Sequence, residues 1–176
     1  RPLGYVQPVG TSRTMTAGHR VATVDDILAW LEARRSAANI AGMQRYGIKT
    51  DRAFGVSNTD LRPYARSLGR DHARALALWR TGWREARLIA SFTDEKKKVG
   101  ADQARAWASE FDSWEIVDGV SDLFVDAGLG DRLIPEFAAD EREFVRRTAF
   151  AMLAWVAVHE KKRPDATVIA FLPLIE

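Results

Sequence analysis

From Thr23 onward apolar residues recur every three or four positions, and short polar or glycine-containing breaks divide them into segments, the pattern of successive amphipathic helices. Thr23 with Asp26 has the form of a capping box and predicts a helix through Ile27, Leu28 and Leu31 to about Ala38. Gly42 to Ser57 reads as a short helix followed by a loop. Ser57 with Asp60 predicts the start of another helix, in which Leu61, Tyr64, Ala65 and Leu68 share one face before Gly69 ends it. Asp71 then caps His72 to Arg80. Helices are expected over Trp83 to Phe92, Ala101 to Glu110, Ser113 to Ala127, Arg132 to Ala139 and Glu141 to His159, with a last one starting near Asp165 after Pro164.

No stretch shows the period-two alternation of a half-buried strand. The expected fold class is therefore all-α, with antiparallel helix pairs stacked as a HEAT-like α-solenoid. A compact helical bundle is the alternative, because the repeats are too degenerate to be detected by self-similarity. Residues 1–20, rich in Pro, Gly, Ser and Thr without periodicity, are expected to be a disordered leader or an expression remnant. Residues 21–176 are expected to form one helical-repeat domain. Its last segment, VIAFLPLIE, stays apolar where a stack needs a polar end unit, so the domain is expected to be incomplete at its C-terminal end.

Composition narrows the chemistry. Six tryptophans and eight phenylalanines in 176 residues can furnish a substantial core. The absence of cysteine excludes disulfides and thiolate metal sites and suits a reducing compartment. His19, His72 and His159 form no ligand-spaced pair, so a zinc enzyme is not expected. A net charge of +2 permits an anionic partner without demanding one. No apolar run approaches the roughly 20 residues that span a bilayer, and no signal peptide is evident. A cytoplasmic monomer without membrane association is expected.

The stretch FDSWEIVD, Phe111 to Asp118, carries the most pointed chemistry. Trp114 and Asp118 stand four apart and so share a helix face, while Ile116, Val117, Val120, Leu123 and Phe124 surround them with apolar groups. An aspartate in that company needs a partner or a task. By pattern alone Trp114 fits a core tryptophan and Asp118 a buried carboxylate paired with Arg147. Asp112, Glu115, Asp118 and Asp122 do not have the facial overlap of a magnesium site. Lys96 to Lys98 and Lys161 to Arg163 read as solvated charge or as phosphate contacts. Arg84 and Arg87, at i and i+3, are candidates for the same face, and Arg45 and Arg52 flank the glycine-containing loop.

The segments RYGI (45–48), GVSNTDLRPYARSLGRDH (55–72), ALWRTGWREARLIA (77–90), WASEFDSWEIVD (107–118) and EREFVRRTAFAMLAWVAVHEKK (141–162) together resemble the AlkD-like DNA alkylation repair family over Ile40 to Glu176. The resemblance implies a concave stack of HEAT-like repeats that cradles duplex DNA containing alkylated purines. It also implies a monofunctional glycosylase that excises N3- or N7-alkylated purines without cofactor or metal. It places Trp114, Asp118 and Arg147 at the active centre, the first two as catalytic residues and Arg147 as a DNA contact; Arg146, Arg84, Arg87, Lys161 and Lys162 are further candidates for DNA contacts, taken from the charge pattern and not from the resemblance. The family's second aromatic would lie on a helix beyond the last one here. The other readings kept open are a DNA-binding helical-repeat protein without catalysis and a protein-interaction scaffold.

Overall fold

The computed structural model describes residues 21–160 and 164–174, and among these it contains helices and no strand. In chain order the helices are α1 (Val24–Glu32), α2 (Ala37–Arg45), α3 (Asn58–Leu68), α4 (His72–Arg80), α5 (Arg84–Thr93), α6 (Ala101–Ser109), α7 (Trp114–Asp126), α8 (Gly130–Ala138), α9 (Glu143–His159) and the short α10 (Asp165–Ile169).

Local chemistry sets most of these limits. Thr23 and Asp26 form the reciprocal capping box at α1, and the Asp71 side chain accepts the Arg74 N–H at the start of α4. Two details differ from the sequence pattern. The first helix ends at Glu32 rather than near Ala38, because Ser36 takes an extended conformation and its hydroxyl accepts the Asn39 N–H, opening α2 as a separate helix. Ser57 does not cap α3; its hydroxyl donates to Asp60 Oδ2 instead.

Helices α3, α5, α7 and α9 pack side by side as an inner row, α4 lies on α5, α8 on α9, and α6 also reaches α9. The outer helices are linked by stacking of Trp79 on Trp107, centroids 4.0 Å apart, and by the Arg105–Glu136 ion pair. The all-α helical-repeat stack is thus present, and its period lies in contacts rather than in repeated residues. Trp79 with Glu110, Arg84 with Glu115, Lys96 with Asp126, Arg105 with Glu136 and Asp118 with Arg147 each join residues 29 to 31 apart in the chain.

Helix α5 is the axis of the core, with Leu88, Ile89 and Ala90 fully buried between its neighbours. Each such leucine or isoleucine stabilises the fold by about 1.5–3 kcal/mol relative to exposure. The approach of α7 to α5 is close enough to require glycine at position 119, where an added Cβ would stand 2.5 Å from Leu88 Cδ2. Leu88 is enclosed and has no free space to yield into. Gly119→Ala gains about 1 kcal/mol of helix propensity but overpacks at a cost of about 1–3 kcal/mol. A net loss of about 1 kcal/mol is expected in urea unfolding, and an unchanged or raised midpoint would mean that the α5–α7 seam is looser than described.

Candidate functional site

Helix α7 divides into two faces. Ile116, Val117, Val120, Leu123 and Phe124 are buried against α5 and α9, and Phe111, just ahead of the helix, anchors its entry by packing on Phe124 and against the edge of Trp79. Trp114, Asp118, Asp122 and Asp126 then follow at intervals of four residues as a stripe on the other side. Neither Trp114 nor Asp118 is a core residue: the tryptophan is 39% exposed, and the Asp118 and Arg147 side chains are each 44% exposed.

Arg147, on α9, grips Asp118 with both Nε and Nη2, at 3.2 Å to Oδ1 from each nitrogen and 2.9 Å from Nη2 to Oδ2. The pair stands at one end of an open groove of about 500 Å³ whose wall is formed by Phe150, Ala151, Ala154, Trp155, Val158 and His159. The groove is open, as a catalytic reading requires, but its wall is apolar and aromatic rather than basic. Trp155 and His159 stack with ring centroids 3.8 Å apart. These two residues escaped the sequence reading, although their i, i+4 spacing in a helix places them on one face.

Trp114 shares the helix face of Asp118 but opens onto a different hollow. Its indole Nε1 donates to the Tyr46 carbonyl at 3.0 Å, and with Ala38, Gly42, Met43 and Tyr46 it lines a recess of about 440 Å³ beside α2. That hydrogen bond fixes the ring plane and leaves a face of the indole at the surface.

The remaining candidates divide. Arg146 is exposed beside Arg147. Arg84 is buried and turned inward, donating from Nε to Glu115 Oε2 at 2.6 Å and from Nη1 to Glu85 Oε1 at 2.9 Å. Burial alone would lower its pKa, but the hydrogen bonds and charges of Glu115 and Glu85 outweigh that and raise it. Arg87 donates to Glu110 and lies over the Trp79 ring, 4.9 Å from its centroid. The face that Arg84 and Arg87 share therefore meets the next repeat's carboxylates. Lys161 and Lys162 lie outside the described residues. Arg62, Arg66 and Arg70, which sequence inspection passed over, line a hollow with Lys96, Asp122 and Asp126 at the other end of the α7 stripe. Among the described residues no group of three or more histidine, aspartate and glutamate side chains could hold a metal ion, and no helix is long and apolar enough to cross a membrane.

The Asp122 equilibrium is displaced: burial pushes its carboxyl up, the Leu123 N–H works against that, and the nearby Asp126 charge adds to the rise. A raised folded-state pKa means that the favourable contribution is complete below the unfolded value and is lost as pH rises through the folded one. Asp122→Asn is accordingly expected to raise Tm at pH 7 and to lose that advantage as the pH is lowered below about 4, the usual aspartate value. A lower Tm for the variant at pH 7 would show that the charged form is the one the fold favours.

No curated protein and no solved structure matches the chain significantly. A family model described as DNA alkylation repair enzyme does match, over residues 27–172, and so runs from the first turn of α1 past the end of α10. A match of that extent, over a helical-repeat stack with a carboxylate and a guanidinium on its open face, means that the chain belongs to the DNA alkylation repair enzymes, whose substrate is alkylated DNA.

Proposed function

We propose that the protein is a monofunctional DNA glycosylase that releases cationic N3- and N7-alkylated purines from duplex DNA, with Asp118 as the catalytic carboxylate. The observation that carries this reading is the exposed Asp118–Arg147 pair at the end of an open groove. Lys96–Asp126 and Arg105–Glu136 are exposed rungs too; Asp118–Arg147 is the one that stands in the apolar, aromatic groove.

The chemistry asks little of a general acid. An alkylated purine already carries positive charge, so when the C1′–N bond breaks its electron pair leaves on the base, which becomes neutral, and the sugar takes on oxocarbenium character. Water then adds at C1′ and gives up a proton, which the Asp118 carboxylate can accept. A carboxylate about 4 Å from the developing charge contributes about 4 kcal/mol at an effective dielectric near 20. The exposed Trp114 face adds a contact with the cationic nucleoside worth about 0.5–2 kcal/mol.

Arg147 supplies the link between binding and chemistry. In the free protein it neutralises Asp118, and an exposed pair of this kind is worth only about 0–1 kcal/mol. A DNA phosphate competes for the same bidentate fork. Transfer of Arg147 to a phosphate leaves the Asp118 carboxylate without its counter-charge where the sugar arrives.

The test is release of 7-methylguanine from methylated duplex DNA. Release supports the glycosylase; binding to duplex DNA that weakens steeply with salt, without release, supports a non-catalytic DNA-binding protein. Neither release nor binding would leave a protein-interaction scaffold.

A further inference from the structure

The basic hollow beside α3 is a concentration of charge that the proposed mechanism leaves unused. Arg62, Arg66 and Arg70 follow one another at intervals of four along α3 and past its end, and all three are exposed. Across the hollow lie Phe92, Lys96 and the α7 residues Asp122 and Asp126, which continue the stripe that begins with Trp114 and Asp118. The hollow and Asp118 therefore belong to one surface, with Asp118 between these arginines and Arg147.

The four cations are not equivalent. Lys96 is paired with Asp126, and the Arg70 Nη1 donates to the Asp94 carbonyl at 2.6 Å. Arg62 lies over the Phe92 ring, 4.5 Å from its centroid, and feels the Asp122 charge. Neither the Arg62 nor the Arg66 guanidinium forms a hydrogen bond or ion pair with another described residue. Stacking engages the face of a guanidinium and leaves its edge N–H donors available, so Arg62 is held in place with its donors still open. Arg66 is one helical turn away, about 6 Å along the axis, a separation that suits neighbouring phosphates of one strand rather than two contacts to a single phosphate.

We propose that Arg62 and Arg66 hold two consecutive phosphates of the DNA on the side of Asp118 opposite to Arg147, so that the reacting sugar is positioned from both flanks. This rests on the glycosylase reading for its choice of ligand, but it is a statement about binding and holds for unmodified duplex. The arginines position; they do not touch the reacting atoms.

The experiment is fluorescence anisotropy with a short unmethylated duplex over about 50–200 mM salt, where each phosphate contact contributes about 0.9 to the slope of log affinity against log salt. The double variant Arg62→Gln, Arg66→Gln is expected to bind more weakly than wild type and to lose about two from the slope, so that the difference between the proteins narrows about tenfold across the range. Arg62→Lys with Arg66→Lys keeps the charges and is expected to recover the slope. Arg105→Gln with Arg132→Gln removes the same charge from the outer row and is expected to leave the slope at the wild-type value. A wild-type slope in the first variant overturns the proposal, as does an equal loss in the outer-row variant. Absence of base release by wild type, with the slope change intact, overturns the glycosylase reading alone, and no binding of duplex by wild type overturns both.

Discussion

Asp118→Asn is expected to lower single-turnover release of 7-methylguanine from methylated duplex DNA by about a thousandfold, while the unfolding midpoint moves by no more than about 4 °C. The first number follows from removing a full charge near the oxocarbenium ion: about 4 kcal/mol at 4 Å, with each 1.36 kcal/mol worth a factor of ten in rate. The second follows from the exposure of the pair, since surface ion pairs contribute about 0–1 kcal/mol and a protein of this size shifts by about 2–4 °C per kcal/mol. Asparagine keeps the shape and one acceptor oxygen for Arg147, so packing is unaltered. A large loss of stability with little loss of rate would assign Asp118 to the repeat ladder instead of to catalysis. Equal release by both proteins would remove it from the mechanism.

The largest effect on folding is expected at Glu85. Its side chain is fully buried, with Oε2 accepting the Phe54 N–H at 2.9 Å and Oε1 accepting those of Gly55 at 2.8 Å and Val56 at 3.2 Å. One carboxylate thus satisfies the backbone of the segment that leads into α3, where no other secondary structure is available to do so. Gly55 has φ near 79°, and a Cβ there would stand 2.4 Å from the Ser36 carbonyl oxygen, so the segment cannot shift to find other partners. Glu85→Ala leaves three N–H groups unpaired in the core and removes a counter-charge from Arg84. A loss of about 3–5 kcal/mol is expected, equivalent to a fall in Tm of roughly 6–20 °C. Urea unfolding and a thermal melt would measure it; a loss under about 1 kcal/mol would mean that water replaces the carboxylate.

Most of the fold was legible because each helix start carries its own chemistry. Thr23, Asp71 and Gly69 act on neighbours in sequence, so their meaning does not depend on what packs nearby. Ser36 was missed because it caps a helix with no acidic residue in its first turn and no buried residue, leaving only a weak periodic signal. The repeat period was invisible for another reason: each contact across it uses a different residue pair, so spacing is kept while identity is not. The candidate site divides in the same way. Trp114, Asp118 and Arg147 could be selected by their order in recognisable segments. The direction of Arg84 could not, because a helical face is readable from sequence whereas the element it meets is not; α5 is enclosed, and its arginine turns to Glu115. Arg62 and Arg66 look like any exposed arginines until Phe92 and the α7 stripe are placed beside them.

The contacts joining residues 29 to 31 apart have a mechanical consequence. Side chains of definite reach tie each unit to the next, so a row of polar rungs runs beside the continuous apolar core. Asp118–Arg147 is such a rung as well as the proposed reacting pair. If Arg147 turns to a phosphate as proposed, this rung opens while the Trp155–Asp126 hydrogen bond and the buried apolar seam still hold α7 to α9. The core is left as it was, and in that mechanism the same carboxylate serves as a rung in the empty protein and as a charge in the occupied one.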